Sequence, residues 1–142
     1  MLKKTISYVD YDGVERREDF YFNLSKAELT DMELEVTGGI QRKIERIVNE
    51  QDIPKIVGIL KEIILASYGK KSDDGKRFIK KENGRVLSEE FVQTEAYVEL
   101  YVELINDPDK FAAFINGIIP QSFAEELAKN PQIMSALPST GN

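Results

Sequence analysis

Cysteine and histidine are both absent from this 142-residue chain. Without cysteine there is no disulfide frame and no thiol chemistry. Without histidine the commonest general base and the commonest metal ligand are missing. Hydrolytic triads and ordinary zinc sites are therefore excluded by inventory, and only carboxylate-based catalysis is left on paper. An excess of cations is lacking too. The 19 Lys and Arg against 25 Asp and Glu give a formal net charge of −6, which disfavours generic nucleic-acid binding because that needs clustered cations to displace counterions. Long apolar runs are also missing. The longest uncharged stretch, Phe111 to Ala124, contains Asn, Gly, Pro and Gln and is too short to span a bilayer. Lys3 and Lys4 imitate the basic start of a secretory signal, but Thr5-Ile-Ser-Tyr-Val-Asp10 is no apolar core. The expectation is a cytosolic protein with no nucleic acid, membrane, metal or cofactor among its partners.

What is present fits one soluble domain, with 42% apolar and 31% charged residues. The chain is organised around Ile53 to Phe78. Ile53, Ile56, Val57, Leu60, Ile63, Ile64 and Tyr68 follow the spacing of one helix face. Ile59 and Leu65 lie off that face, so this helix is apolar over more than half its girth and belongs inside a core. Gly69 is expected to close it in the left-handed conformation. Ser72-Asp73-Asp74-Gly75 then supplies side-chain acceptors and a permissive glycine for a turn.

Upstream, Thr5–Val9 and Arg16–Phe22 read as two strands joined at Asp12-Gly13, both of which tolerate positive φ. A lone hairpin is barely stable, so it must pack on a helix or pair with another strand or molecule. Ser25-Lys-Ala-Glu28 is a capping box, with Leu24 placed to staple onto Leu29, and predicts a helix from Lys26 to about Glu35. Thr37-Gly38-Gly39 breaks it. A second helix carries Ile40, Ile44, Ile47 and Val48, and Asp52 suits the N-cap of the central helix. Downstream, Val86 to Asp109 reads as mostly one helix, with Ser88 as N-cap. Its apolar face is Tyr97, Leu100, Tyr101 and Leu104, widened by Val98, Val102 and Ile105. Asp107-Pro108 starts another helix, with Phe111, Phe114, Ile115 and Ile118 as its core stripe and an end or bend near Gly117. A final short helix opens at Gln121 or Ser122 and runs to about Lys129. Residues from Pro131 onward carry no packing signal and are expected to form a mobile tail.

Charge is segregated along the chain. From Lys70 to Arg85 seven cations (Lys70, Lys71, Lys76, Arg77, Lys80, Lys81, Arg85) stand against three anions (Asp73, Asp74, Glu82). From Val86 to Asp109 there are seven anions and no cation. Within that block Glu95, Glu99 and Glu103 share one helix face, where like charges at this spacing weaken a helix. One reading is an acidic strip awaiting a basic partner. The other is a solvated face, or one paired with the chain's own Lys70–Arg85 block. The carboxylates lie in a row without convergent partners, which argues against a metal site. Ser67 to Phe78 lacks the Walker spacing and a preceding strand, so it is no phosphate cradle; it reads as a structural turn or a partner-contact loop. The candidate partner-binding residues are Tyr68, Lys70, Lys71, Asp73, Asp74 and Arg77 of this loop, with Glu95, Glu99 and Glu103.

Three segments carry a resemblance. They are Asp10-Tyr-Asp-Gly13 with Glu18-Asp-Phe-Tyr-Phe-Asn-Leu-Ser-Lys-Ala-Glu-Leu29, then Ala66-Ser-Tyr-Gly-Lys-Lys-Ser-Asp-Asp-Gly-Lys-Arg-Phe78, then Gln93-Thr-Glu-Ala-Tyr97 with Phe114-Ile-Asn-Gly-Ile-Ile-Pro120. In this order, from roughly Thr5 to Leu127, the chain resembles the tail assembly chaperones of long-tailed bacteriophages, especially those of Gram-positive hosts. The resemblance implies a non-enzymatic protein of the host cytoplasm that binds the tape-measure protein and recruits the major tail tube protein. It implies absence from the mature virion, and self-association is a further option. Many such chaperones are also made in a longer form by ribosomal frameshifting. No catalytic residues come with the family.

The expected fold is α+β: an N-terminal β-hairpin near the first helix, followed by a mainly α-helical domain of five or six helices. Expected divisions are 1–24 for the hairpin, 25–130 for the helical domain and 131–142 for the tail. A different class of function, a small acidic adaptor or regulatory module, is the competing reading.

Overall fold

The computed structural model describes residues 1–35 and 53–120, and these form an α+β fold. The second helix expected around Ile40–Val48, the glycine break before it, the Asp52 cap, the last short helix and the tail all lie outside the described residues.

The chain opens with β1 (Leu2–Val9) and β2 (Glu15–Phe22), an antiparallel hairpin running without a bulge from Leu2↔Phe22 to Val9↔Glu15. The two-residue turn expected at Asp12-Gly13 is instead a longer loop. Asp10 organises it: the Gly13 amide donates to the Asp10 carbonyl, and the Asp12 and Val14 amides donate to the Asp10 carboxylate. Only Gly13 takes a positive φ, at 80°. An aspartate side chain that satisfies two loop amides removes the need for a tight turn.

Helix α1 (Lys26–Glu35) starts at the expected capping box. The Glu28 amide donates to Ser25 Oγ at 3.1 Å, and the Ser25 amide donates to Glu28 Oε1 at 2.9 Å. Leu24 and Leu29 are both buried in the core.

Helix α2 (Ile53–Ser67) buries Leu60, Ile63 and Ile64. It does not end on a left-handed Gly69. It passes directly into β3 (Tyr68–Lys71), which pairs antiparallel with β2 through Phe22↔Tyr68 and Tyr21↔Gly69. The sheet replaces the glycine cap, because the orphan carbonyl of Ser67 accepts from the Asn23 amide at 2.7 Å. The turn after β3 leads to β4 (Phe78–Ile79), completing a four-stranded sheet in the order β1-β2-β3-β4. A second, two-stranded ribbon of β5 (Lys81–Glu82) and β6 (Arg85–Val86) turns at Asn83 (φ 54°) and Gly84 (φ 78°). Two successive positive φ values are the hallmark of the hairpin turn that Asn-Gly favours.

The acidic block holds two helices where one was expected, α3 (Leu87–Phe91) and α4 (Glu95–Asn106). Ser88 is not a cap: Val86 occupies that position without a side-chain cap bond. Thr94 makes the break. Its backbone is extended, its hydroxyl donates to the Phe91 carbonyl at 2.7 Å, and it accepts from the Tyr97 amide at 3.2 Å. One side chain thus closes α3 and opens α4. Helix α5 (Pro108–Ile118) begins as expected at Asp107, whose carboxylate accepts from the Asp109 and Lys110 amides. It ends at Ile118, one residue past Gly117, close to where an end was expected. A Cβ on Gly117 would lie 2.9 Å from the Leu2 side chain, so the glycine serves close packing against β1.

The core lies between the sheet and the helices. Phe22 sits at its centre, edge-on to Phe114, Phe91 and Tyr68 with ring centroids 5.2–5.8 Å apart. The hairpin rests chiefly on α4 and α5, not on α1 as expected. The inward face of β1 carries Ile6 and meets α4 lengthwise.

Candidate functional site

Helix α4 presents three faces. Ala96, Tyr97, Leu100 and Leu104 are buried. Glu95, Glu99 and Glu103 run along β1. Val98 and Val102 are 41% and 47% exposed, although their apolar character led to the expectation that they widen the core face. One helical turn apart, they form an apolar stripe beside the acidic row.

The row is engaged unevenly. At one end Glu103 Oε1 accepts from Lys4 Nζ at 3.0 Å and lies 3.6 Å from Lys110 Nζ. At the other end Glu95 faces the loop of the hairpin, and its hydrogen bond pushes the Tyr11 hydroxyl above the ordinary tyrosine range. Between them Glu99 has no cation partner among the described residues. It lines an open groove of about 500 Å³ with Ser7, Tyr8, Val9, Glu15, Arg16 and Arg17. Arg16 is committed to Asp10 at 2.6 Å. The Tyr8 hydroxyl donates to Glu18, and that bond, aided by burial and the Glu18 charge, pushes its pKa up to about 12.

The loop candidates have a different character. Tyr68 is half-buried and stacked on Phe91. Lys70 pairs with Glu82 at 3.3 Å, and Lys71 Nζ donates to the Ser72 carbonyl at 3.1 Å. Asp74 accepts from the Ser72 hydroxyl at 2.6 Å and from the Lys76 amide at 3.0 Å. The serine bond leads in holding its carboxyl below the usual carboxylate range. Ser72 Oγ in turn accepts from the Arg77 amide at 3.0 Å. These bonds close the turn on itself. Asp73 and the Arg77 side chain are exposed.

The structure does not bring the two candidate sets together. The acidic row follows β1 and the loop follows β3, two strands away in the sheet. Nor does the basic segment neutralise the row: Lys70, Lys80 and Arg85 pair with Glu82, Glu28 and Glu90. Sequence reasoning missed the contributions of Lys4, Tyr8 and Tyr11, whose link to α4 depends on how the hairpin lies. It also missed the exposure of Val98 and Val102, for which the wheel held a signal: they point away from Leu100 and Leu104.

Among the described residues no group of Asp and Glu is arranged to hold a metal ion, and no helix is long and apolar enough to cross a membrane. On a small α+β scaffold, α4 thus sets two exposed valines beside a partly unpaired acidic row. A family model described as phage tail assembly chaperone matches residues 1–140, and the chain belongs to that family. No curated protein and no solved structure matches the chain. Its partners are accordingly proteins of tail assembly.

Proposed function

We propose that this chaperone binds the tape-measure protein and recruits the tail tube protein to it during tail assembly, in the host cytoplasm, and leaves before the virion is complete. No bond is made or broken in this role. The supporting observation is the exposed Val98–Val102 stripe flanked by Glu95 and Glu99 on α4. A long helical guest exposes apolar seams that aggregate before the tube encloses them. A helix offering a basic border to such a seam would find apolar area and opposite charge together on α4. Loop residues Lys70, Lys71, Asp73, Asp74 and Arg77 are the second contact we propose, facing the tube subunit from the far side of the sheet. Modest affinity per copy, multiplied over many copies along the guest, allows the growing tube to displace the chaperone.

Co-expression tests this reading. The tape-measure protein is expected to stay soluble with the wild-type chaperone and to precipitate alone. The doubly substituted Glu95→Lys/Glu99→Lys protein is expected to lose most of that protection while keeping its helical circular dichroism. Equal protection by both proteins would retire α4 as the contact surface.

A further inference from the structure

The outer edge of β1 is an unfinished ladder. Asp10 and Val14 form a hydrogen-bonded pair, with the Asp10 amide 2.9 Å from the Val14 carbonyl, and pairing alternates from there. Tyr8, Ile6, Lys4 and Leu2 therefore turn their backbone groups toward β2, and Val9, Ser7, Thr5 and Lys3 turn theirs outward. Among the described residues no other backbone group bonds to these four. Natural proteins blunt such an edge with a proline, a bulge or charged side chains, lysine above all, and β1 carries its two lysines, Lys3 and Lys4, at one end only. Over its eight residues β1 has no proline and no bulge, and Thr5 to Val9 is uncharged.

We propose that β1 pairs antiparallel with β1 of a second copy, about a two-fold axis at Ile6. The edge is self-complementary in this register. Lys3 faces Val9 of the second copy and Thr5 faces Ser7, so all four outward-facing residues of each strand find partners. The charges agree. Both lysines lie at one end of β1 and Asp10 follows the other end, so an antiparallel copy sets Lys4 diagonal to the second copy's Asp10 on one face and keeps lysine away from lysine. The register also brings each copy's Lys4 beside the other's Tyr8, the neighbourhood of Glu99, which has no cation of its own among the described residues. A parallel copy would instead stack the lysine pairs against each other. The pairing joins two four-stranded sheets into one and places two α4 surfaces on the same side of it.

The test uses this chain alone, so its outcome is independent of the tape-measure reading. Sedimentation equilibrium is expected to give twice the 16.2 kDa chain mass. Thr5→Lys with Ser7→Lys sets like charges opposite one another and is expected to weaken the dimer on the order of tenfold. Thr5→Lys with Ser7→Glu makes those opposed pairs attractive and is expected to restore it. In the cysteine-free background, a mixture of Thr5→Cys and Ser7→Cys chains is expected to cross-link on oxidation more readily than either chain alone. A monomer at every concentration overturns the proposal. So does a dimer indifferent to both lysine variants, or cross-linking favoured between identical chains.

Discussion

The rings of Tyr68 and Phe91 lie parallel, with centroids 4.1 Å apart and planes 4° from coincidence. The contact joins the first residue of β3 to the end of α3, and Phe22 packs edge-on against both rings. Tyr68, a candidate contact residue, is thereby tied to the core. Its hydroxyl is pushed above the ordinary tyrosine range, by burial first and by the nearby Glu90 and Glu18 charges second. Tyr68→Ala is expected to cost about 3 kcal/mol of unfolding free energy. Tyr68→Phe keeps the stack and is expected to stay within about 0.5 kcal/mol of wild type. Urea unfolding of the two variants measures both, and a large loss in Tyr68→Phe would show that the hydroxyl matters to the fold.

Two glycines on either side of this contact respond oppositely to alanine. A Cβ on Gly69 would lie 2.7 Å from the Ile79 carbonyl oxygen and against the Phe78 ring. The backbone cannot yield without breaking the β3–β4 pairing, so Gly69→Ala is expected to destabilise by about 1–3 kcal/mol. A Cβ on Gly58, within α2, meets nothing within 4 Å. There alanine only removes backbone freedom from the unfolded chain, and Gly58→Ala is expected to stabilise by about 0.5–1 kcal/mol. Thermal melts of the pair check the contrast in sign.

Local signals explain what could be read in the chain and what could not. The capping box at Ser25 and the cap at Asp107 satisfy their own backbone within one helical turn, and the stripe of α2 repeats over about four turns, so these signals survive in any context. The Gly69 expectation failed because a long-range partner, the Asn23 amide, took the carbonyl that a glycine cap would have served. Strands of two residues, such as β5 and β6, are too short to show a period-two pattern, and the Asn83-Gly84 turn signal between them went unread. The division between α3 and α4 rested on Thr94, a good cap residue in a stretch otherwise read as continuous helix. For the candidate site, the helical spacing of Glu95, Glu99 and Glu103 was legible. Which of the three would be paired was not, because Lys4 lies on a strand ninety-nine positions away from Glu103.

Lys80 gives the fold a pH-sensitive joint. Its ammonium donates to the Glu28 carboxylate and, at 2.8 Å, to the Ala66 carbonyl near the end of α2. Burial pushes the Glu28 carboxyl up, but the Lys80 and Ser25 hydrogen bonds outweigh it and hold the carboxyl below the usual glutamate range. A depressed folded-state pKa means stability that is present above the unfolded value, about 4.3, and lost as pH falls through the folded value. Glu28→Gln is therefore expected to be less stable than wild type near neutral pH, with the gap narrowing as pH falls from about 6 to about 3. Urea titrations across that range check it. A gap that stayed constant would mean that the joint works through packing and not through charge.

Glu99 and Glu103 occupy the same helix face yet are expected to respond to charge reversal with opposite signs. Glu99 lies between two glutamates at i±4 and has no cation of its own among the described residues. Glu99→Lys replaces two repulsions with two attractions and is expected to stabilise the fold by about 0.5–1 kcal/mol. Glu103 is already paired with Lys4 and Lys110. Glu103→Lys sets three cations together and is expected to cost about 1 kcal/mol. If α4 is the contact surface for a basic guest, Glu99→Lys weakens capture of the tape-measure protein while raising the melting temperature. A structural role for Glu99 cannot produce that combination, since a residue kept for stability would lose both together. Melting curves and pull-downs on the same preparations separate the two, and a Glu99→Lys protein that is more stable and still captures its guest at full strength would move the contact elsewhere.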